Sequence, residues 1–371
     1  MLKMKSANEN GNDLNQVIQA LVKEIQLDGT KLVIFFNSPK YDTGQTGKLL
    51  KQSFPNAEVI GCTTAGEISN KGFTENSISA ISIAADDFDV ATYVMKDIKT
   101  KTMLTKEDLL ATGSKIGLTA DSRDGLIISL IDNTAMAEEK VLGAVSHAFF
   151  NLKLVGGSAS GDQQAFVSLN GEVYQNAAII TFIKTTKFFT YKENIFIPTE
   201  TELQVTKADI MHRIVYEFNE KPAAMEYARV LGLSMPEFLK NQTAVFFTNP
   251  VGRIFGDEVW ISAPFSVVEG NGIKFTALIT PHTVVKLLKP ADPVAEARKT
   301  AQIIQQNMPH PQGLILFNCM LRYLQFKNEN LCPTLAVEYN RCGSICGFNT
   351  YGEQLNKLHI NQTLTLVAFG E

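Results

Sequence analysis

The chain has 371 residues, 45% of them hydrophobic and 19% charged, with a formal net charge of −4. That length points to two domains, each large enough to bury a core, and the mixed, slightly acidic charge excludes a basic nucleic-acid face or a polybasic lipid patch. Five cysteines make an odd count that does not fit a disulfide framework; with no signal peptide and no apolar run of ~18 residues, a cytoplasmic protein with no membrane partner is expected.

Residues 14–25 place Leu14, Val17, Ile18, Leu21 and Ile25 on one helical face behind Asp13 as N-cap. Residues 31–36 (Lys-Leu-Val-Ile-Phe-Phe) form a continuous apolar run, as a strand buried on both faces requires. A helix over 46–52 and a strand over 58–62 follow. Residues 77–84 and 89–95 alternate apolar and polar positions and read as an antiparallel pair. The pattern then restarts: a helix over 106–118, a buried strand over 125–131, a helix over 136–150, a strand over 152–155, and a hairpin over 166–174 turning at Asn170-Gly171. A strand over 177–183 closes the second copy. The strand–helix–strand part of each copy should be parallel and right-handed.

Residues 186–220 read as a bridge with a strand over 202–206 and a helix over 208–219. A helix over 222–231 follows. Strands over 243–247 and 258–262, with a hairpin over 265–279, read as a decayed copy of the same theme. A helix over 292–306, a third buried strand over 313–317, a short helix over 334–340 and a last strand over 363–369 complete the chain. The fold class expected is α/β, with mixed sheets built from internally repeated strand–helix–strand–hairpin units in two tandem domains, 1–215 and 216–371.

One spacing recurs three times: glycine, four residues, glycine, acid. It appears as Gly61-Cys-Thr-Thr-Ala-Gly66-Glu67, Gly156-Gly-Ser-Ala-Ser-Gly161-Asp162 and Gly347-Phe-Asn-Thr-Tyr-Gly352-Glu353. Glycines at a strand end permit a sharp turn or a close backbone approach, and three copies suggest a repeated unit. The spacing is that of a phosphate loop, but an acid stands where the lysine would be and would repel phosphate.

These motifs, together with Asn318-Cys-Met-Leu-Arg322 and Leu358-His-Ile-Asn-Gln-Thr363, resemble the FIST family over nearly the whole chain. The glycine motifs at 61–67 and 156–162 are similar to its N-terminal domain, and residues 318–322, 347–353 and 358–363 to its C-terminal domain. The resemblance implies a sensory protein that binds a small, amino-acid-like ligand. Many relatives carry an output domain, whereas this chain ends at Glu371. The implied partner is therefore a separate signalling protein such as a kinase or receptor.

The ligand-binding residues expected are Gly61, Thr64, Gly66 and Glu67 of the first motif, Gly157, Ser158 and Asp162 of the second, and Tyr351, Gly352 and Glu353 of the third. Asn133, Cys319 and Arg322 join them at the carboxyl ends of buried strands, where ligands of such sheets collect. Arg322 would pair with a ligand carboxylate, and Glu353 or Glu67 with its amine, in a cleft between the two halves. The same glycines and acids also fit purely structural turns and caps. An acyl- or amide-transfer enzyme using Cys319, with His359 as base, is the alternative; a ligand-free interaction scaffold is the third. No cofactor and no metal are expected, since Cys342 and Cys346 lack a second ligand pair.

Overall fold

The computed structural model describes residues 1–101, 106–161, 164–256 and 258–371. Its first repeat is strand β1 (Lys3–Glu9), helix α1 (Leu14–Ile25), β2 (Thr30–Asn37), α2 (Thr43–Ser53), β3 (Glu58–Thr63), the short hairpin β4 (Glu67–Ser69) and β5 (Gly72–Thr74), and β6 (Ile78–Ala84). The second keeps that order: β7 (Asp89–Lys96), α3 (Glu107–Ser114), β8 (Gly125–Asp132), α4 (Glu138–Ala148), β9 (Lys153–Ala159), hairpin β10 (Val167–Leu169) and β11 (Glu172–Tyr174), then β12 (Ala177–Lys184). The third begins with β13 (Phe188–Asn194) and is then interrupted along the chain.

The interruption is β14 (Phe196–Asp209), β15 (Ile214–Phe218), β16 (Lys221–Pro222), α5 (Ala223–Val230), α6 (Met235–Thr248), β17 (Val251–Phe255), β18 (Glu258–Ser262), β19 (Pro264–Val268), β20 (Gly272–Phe275) and β21 (Val284–Pro290). The third repeat resumes with α7 (Pro293–Asn307), β22 (Pro311–Cys319), α8 (Met320–Asn328), α9 (Cys332–Tyr339), β23 (Ser344–Thr350), hairpin β24 (Glu353–Leu355) and β25 (Leu358–Ile360), and β26 (Thr363–Gly370). Contacts accordingly divide the chain into one compact unit of Met1–Glu193, Ala297–His359 and Leu364–Glu371, and another of Asn194–Glu296 and Ile360–Thr363.

In the first unit the repeats build three sheets of one design, in the orders β1-β6-β2-β3-β10-β11, β7-β12-β8-β9-β24-β25 and β13-β26-β22-β23-β4-β5. Each holds one parallel pair: β2 with β3, β8 with β9, and β22 with β23. The hairpin that follows each glycine motif leaves its own sheet and pairs with the second parallel strand of the preceding repeat, the first repeat's hairpin closing the cycle on the third. Thus β4 joins β23, β10 joins β3, and β24 joins β9. The hairpin turns repeat one clamp. The side-chain oxygens of Asn70, Asn170 and Asn356 accept from the amides of Ile345, Val59 and Leu154, at 2.8, 3.0 and 3.4 Å. Each repeat is therefore completed by its neighbour, a cyclic exchange that ties the sheets together.

Helices cover the outer faces. Val17, Ile18, Leu21 and Leu50 pack against Val33, Phe35 and Val59, while Leu109, Val141, Leu142 and Val145 pack against Ile127, Ile180 and Phe182. On the inner side the rings of Phe36 and Phe348 lie 4.6 Å apart, and Phe317 meets both. Burial on two faces explains the continuous apolar runs of β2, β8 and β22.

The second unit is an antiparallel sheet in the order β18-β17-β21-β14-β15-β20-β19, with β16 beside β15. Leu203, Phe218, Tyr227, Phe238, Phe246 and Phe275 share its core with the apolar faces of α5 and α6. No helix among the described residues is long and apolar enough to cross a membrane.

Four sequence expectations differ from these elements. Residues 208–219 are not helical; they turn at Arg213 (φ +57°) between β14 and β15. Residues 243–247 are the end of α6, which Ser234 caps by accepting from the Glu237 amide. Strands β6 and β7 do not pair with each other: β6 lies between β1 and β2, and β7 pairs β12. Residues 243–279 are no decayed repeat, since no parallel strand pair is formed there.

Candidate functional site

The three glycine motifs meet within the first unit. Ala65 donates its amide to the Asn349 carbonyl, and Asn349 donates back to that of Gly66. The Ser158 amide donates to the Gly352 carbonyl, and the Ser160 amide to that of Thr63, both at 2.9 Å. The Thr350 hydroxyl donates to the Ser158 carbonyl at 2.8 Å. Gly66 takes φ +120°, a conformation costly for a side chain. Gly352 is held so closely to the His359 ring that an added Cβ would lie 2.2 Å from its Cε1.

Convergence here produces a packed polar interior. Glu67 is fully buried; it accepts from the Thr64 hydroxyl, and from the Ser77 amide and hydroxyl at 3.2 and 2.6 Å. Burial pushes its carboxyl up to about 7 against the pull of those donors. Glu353 is equally buried. Ser158 donates to a carboxylate oxygen of the buried Glu138 at 3.2 Å and accepts from Gln354. Gly61 and Gly157 leave room for the rings of Phe35 and Phe348.

Arg322 is also enclosed. Its guanidinium donates to the carbonyl and carboxylate of Glu193, while the Tyr339 hydroxyl donates to the same carboxylate. Its partner is thus an internal acid, which leaves no reach for a ligand carboxylate. Cys319 is 3% exposed. Asn133 follows the helix-capping Asp132, Tyr351 is exposed, and Asp162 lies outside the described residues.

The cysteines give a direct test of this packing. Burial raises the thiols of Cys62, Cys342 and Cys346, the last to about 12; it also raises that of Cys332, but Cys332 is only half-buried and so reachable. Native protein treated with iodoacetamide should be labelled first at Cys332, with Cys319 reacting only on unfolding. Fast labelling of Cys319 by peptide mass spectrometry would contradict its enclosure and revive a nucleophilic role.

Open space lies immediately beside this interior. A cavity of about 450 Å³ is bounded by Pro39, Tyr41, Asp42, Thr43 and Gly44 from the β2–α2 connection, Thr63 at the end of β3, Gln164 and Phe166 after the second motif, and Val173 of β11. It sits over the carboxyl ends of two adjacent parallel strands, the position where α/β sheets bind ligands. The Thr63 hydroxyl oxygen accepts from the Phe166 amide at 3.0 Å, and that of Thr43 from the Asn37 side chain at 3.3 Å. Both hydroxyl protons remain without an acceptor among the described residues. Pro39, Phe166 and Val173 supply apolar wall; Asp42 caps α2 through the Gln45 amide and is exposed at the rim. Of these residues the sequence reading singled out none. The available signal was Asp42-Thr43-Gly44, a helix start placed directly after a strand end.

The FIST N domain model matches residues 31–221 and the FIST C domain model residues 223–356. An uncharacterized protein of Methanocaldococcus jannaschii is 25% identical over 414 residues, covering 99% of this chain and 78% of its own length. Among solved structures, a chorismatase aligns with 8% identity over 100% of this chain and 99% of its own, at a TM-score of 0.35. Cyanuric acid hydrolase from A. caulinodans aligns with 9% identity over 50% of this chain and 71% of its own, at a TM-score of 0.30. Likeness at those scores bears on neither fold nor chemistry.

Proposed function

This chain belongs to the FIST family, whose domains are associated with sensory and signal-transduction roles, and from that premise we propose that it is a cytoplasmic sensor of a small amino-acid-like molecule. The ligand enters the cavity over β2 and β3. The observation that carries this reading is the cavity itself: about 450 Å³, within the ~300–1,000 Å³ range of small-molecule sites, with apolar walls and two unspent hydroxyl donors. Its floor is continuous with the interlocked motifs, since Thr63 bonds to both Ser160 and Phe166. Occupancy therefore bears on the contact between the first and second repeats, and a ligand that prefers one arrangement of that contact shifts its population. A separate signalling protein, such as a kinase or receptor, reads that shift.

A thermal-shift screen of amino acids and small metabolites tests the reading. At a ligand concentration 100 times its Kd, stabilisation of about 2.7 kcal/mol is expected. A wide library in which nothing raises the melting temperature would remove the sensory proposal.

A further inference from the structure

The repeats themselves indicate what the cavity receives. Thr43 is the first residue of α2, following the N-cap Asp42, and Glu138 is the first residue of α4, following the N-cap Ala137. Thr63 and Ser158 are likewise equivalent, each third in its glycine motif and near the end of its repeat's second parallel strand. In the second repeat, therefore, the protein's own carboxylate fills the space between helix start and strand end, and the Ser158 hydroxyl donates to it. In the third repeat the first turn of α8 carries Arg322, buried against the protein's own Glu193. In the first repeat Thr43 and Gly44 are too small to fill it, and the cavity results.

We propose that the first repeat is a vacated copy of that arrangement, and that a small organic carboxylate binds there in the place the Glu138 side chain holds in the second. This rests on the sensory reading above and adds the ligand's chemical class and seat. Thr63 and Thr43 are 3% and 5% exposed, and the hydroxyl of each has its oxygen already engaged and a proton to give. A carboxylate oxygen accepts both. The start of α2 adds the amides of Thr43 and Gly44, that of Gln45 being spent on Asp42, and the helix start favours negative charge. Asp42 stands at the solvent-facing rim, where water screens its repulsion of the seated carboxylate. There it favours a ligand that also carries an amine.

The test uses the full chain with propionate, 3-phenylpropionate, L-alanine and L-phenylalanine, each beside its carboxamide, titrated by calorimetry. At least one acid is expected to bind at least tenfold more tightly than its amide, as for a charge-assisted hydrogen bond. An amino acid that outbinds the matching plain acid would place the amine at Asp42. Thr43→Glu installs the side chain of the second repeat; it should close the cavity and abolish acid binding while the melting temperature holds. Thr63→Val should weaken acid binding about tenfold, and Thr63→Ser should not. If Thr43→Glu fails to fold, the Thr63 pair decides. An amide that binds as well as its acid, or acid binding indifferent to Thr63→Val, overturns the assignment. No binding by any probe overturns it too, while leaving the sensory reading to the wider metabolite screen.

Discussion

Replacing Arg322 with alanine is expected to cost about 3–5 kcal/mol of stability, because it strands the buried Glu193 carboxylate without its counter-charge. Both side chains are essentially inaccessible, at 0% and 1% exposure. Guanidinium Nε and the second oxygen of Glu193 have no hydrogen-bond partner among the described residues, so the pair does not recover its full desolvation cost. It follows that removing both charges should hurt far less than removing one. Arg322→Met with Glu193→Met should unfold within about 1 kcal/mol of the parent, the remaining loss being the Tyr339 hydroxyl's acceptor. Urea midpoints of the two single variants and the double variant provide the cycle. A single variant costing less than about 1 kcal/mol would mean that the side chain rearranges to solvent, and would reopen Arg322 as a ligand contact.

Stability should also fall as pH rises through the range controlled by Glu67. Its carboxyl titrates near 7 in the fold against an ordinary 4.5, so the native state holds a proton that the unfolded chain has released. The group's contribution is fully present below about 4.5, declines between 4.5 and about 7, and stays lost above that. At ~1.4 kcal/mol per pH unit, the interval corresponds to on the order of 3 kcal/mol. The groups facing it are Thr64 and Ser77, which favour the ionised form, and Glu75, which opposes it; Cys62 lies close enough to feel its charge. Glu67→Gln should flatten the pH dependence relative to the parent between 4.5 and 7 and be the more stable protein at pH 8. Parallel stability curves for the two proteins across that range would show that Glu67 is ionised in the fold and held by its donors.

Much of the local structure was readable because local physics determined it. The helix over 14–25 follows from its apolar spacing and from Asp13, whose side chain accepts from the Asn15 amide. The turn at Asn170-Gly171 follows from two residues that tolerate positive φ, observed at +52° and +86°. The misreadings came where local signals compete. The run Thr243-Ala-Val-Phe-Phe247 has strand composition, yet Ser234 with Glu237 caps a helix whose Phe238 and Phe246, eight apart, enter the core on one face. The 208–219 segment carries a helix-like Ile-Met-His-Arg, but β-branched Ile214 and Val215 pair with β14 and β20 instead.

The candidate site divides in the same way. Sequence marked the glycine motifs, and the structure does bring them together; it did not indicate that Glu67, Glu353 and Arg322 would be buried among partners, because exposure depends on what the rest of the chain lays over them. By itself the sequence determined the strand–helix–strand units of the first two repeats, their parallel pairs and the family, since these depend on periodicity and spacing within a short stretch of chain; the third parallel pair, β22 with β23, emerged only in the structure. Only the tertiary structure decided which sheet each three-residue hairpin joins, that residues 297–359 close with the first 193, and that open space remains above β2 and β3. A short hairpin has too little area to choose its own edge, so the choice falls to the partner strand that satisfies its backbone, and that strand lies far away in sequence.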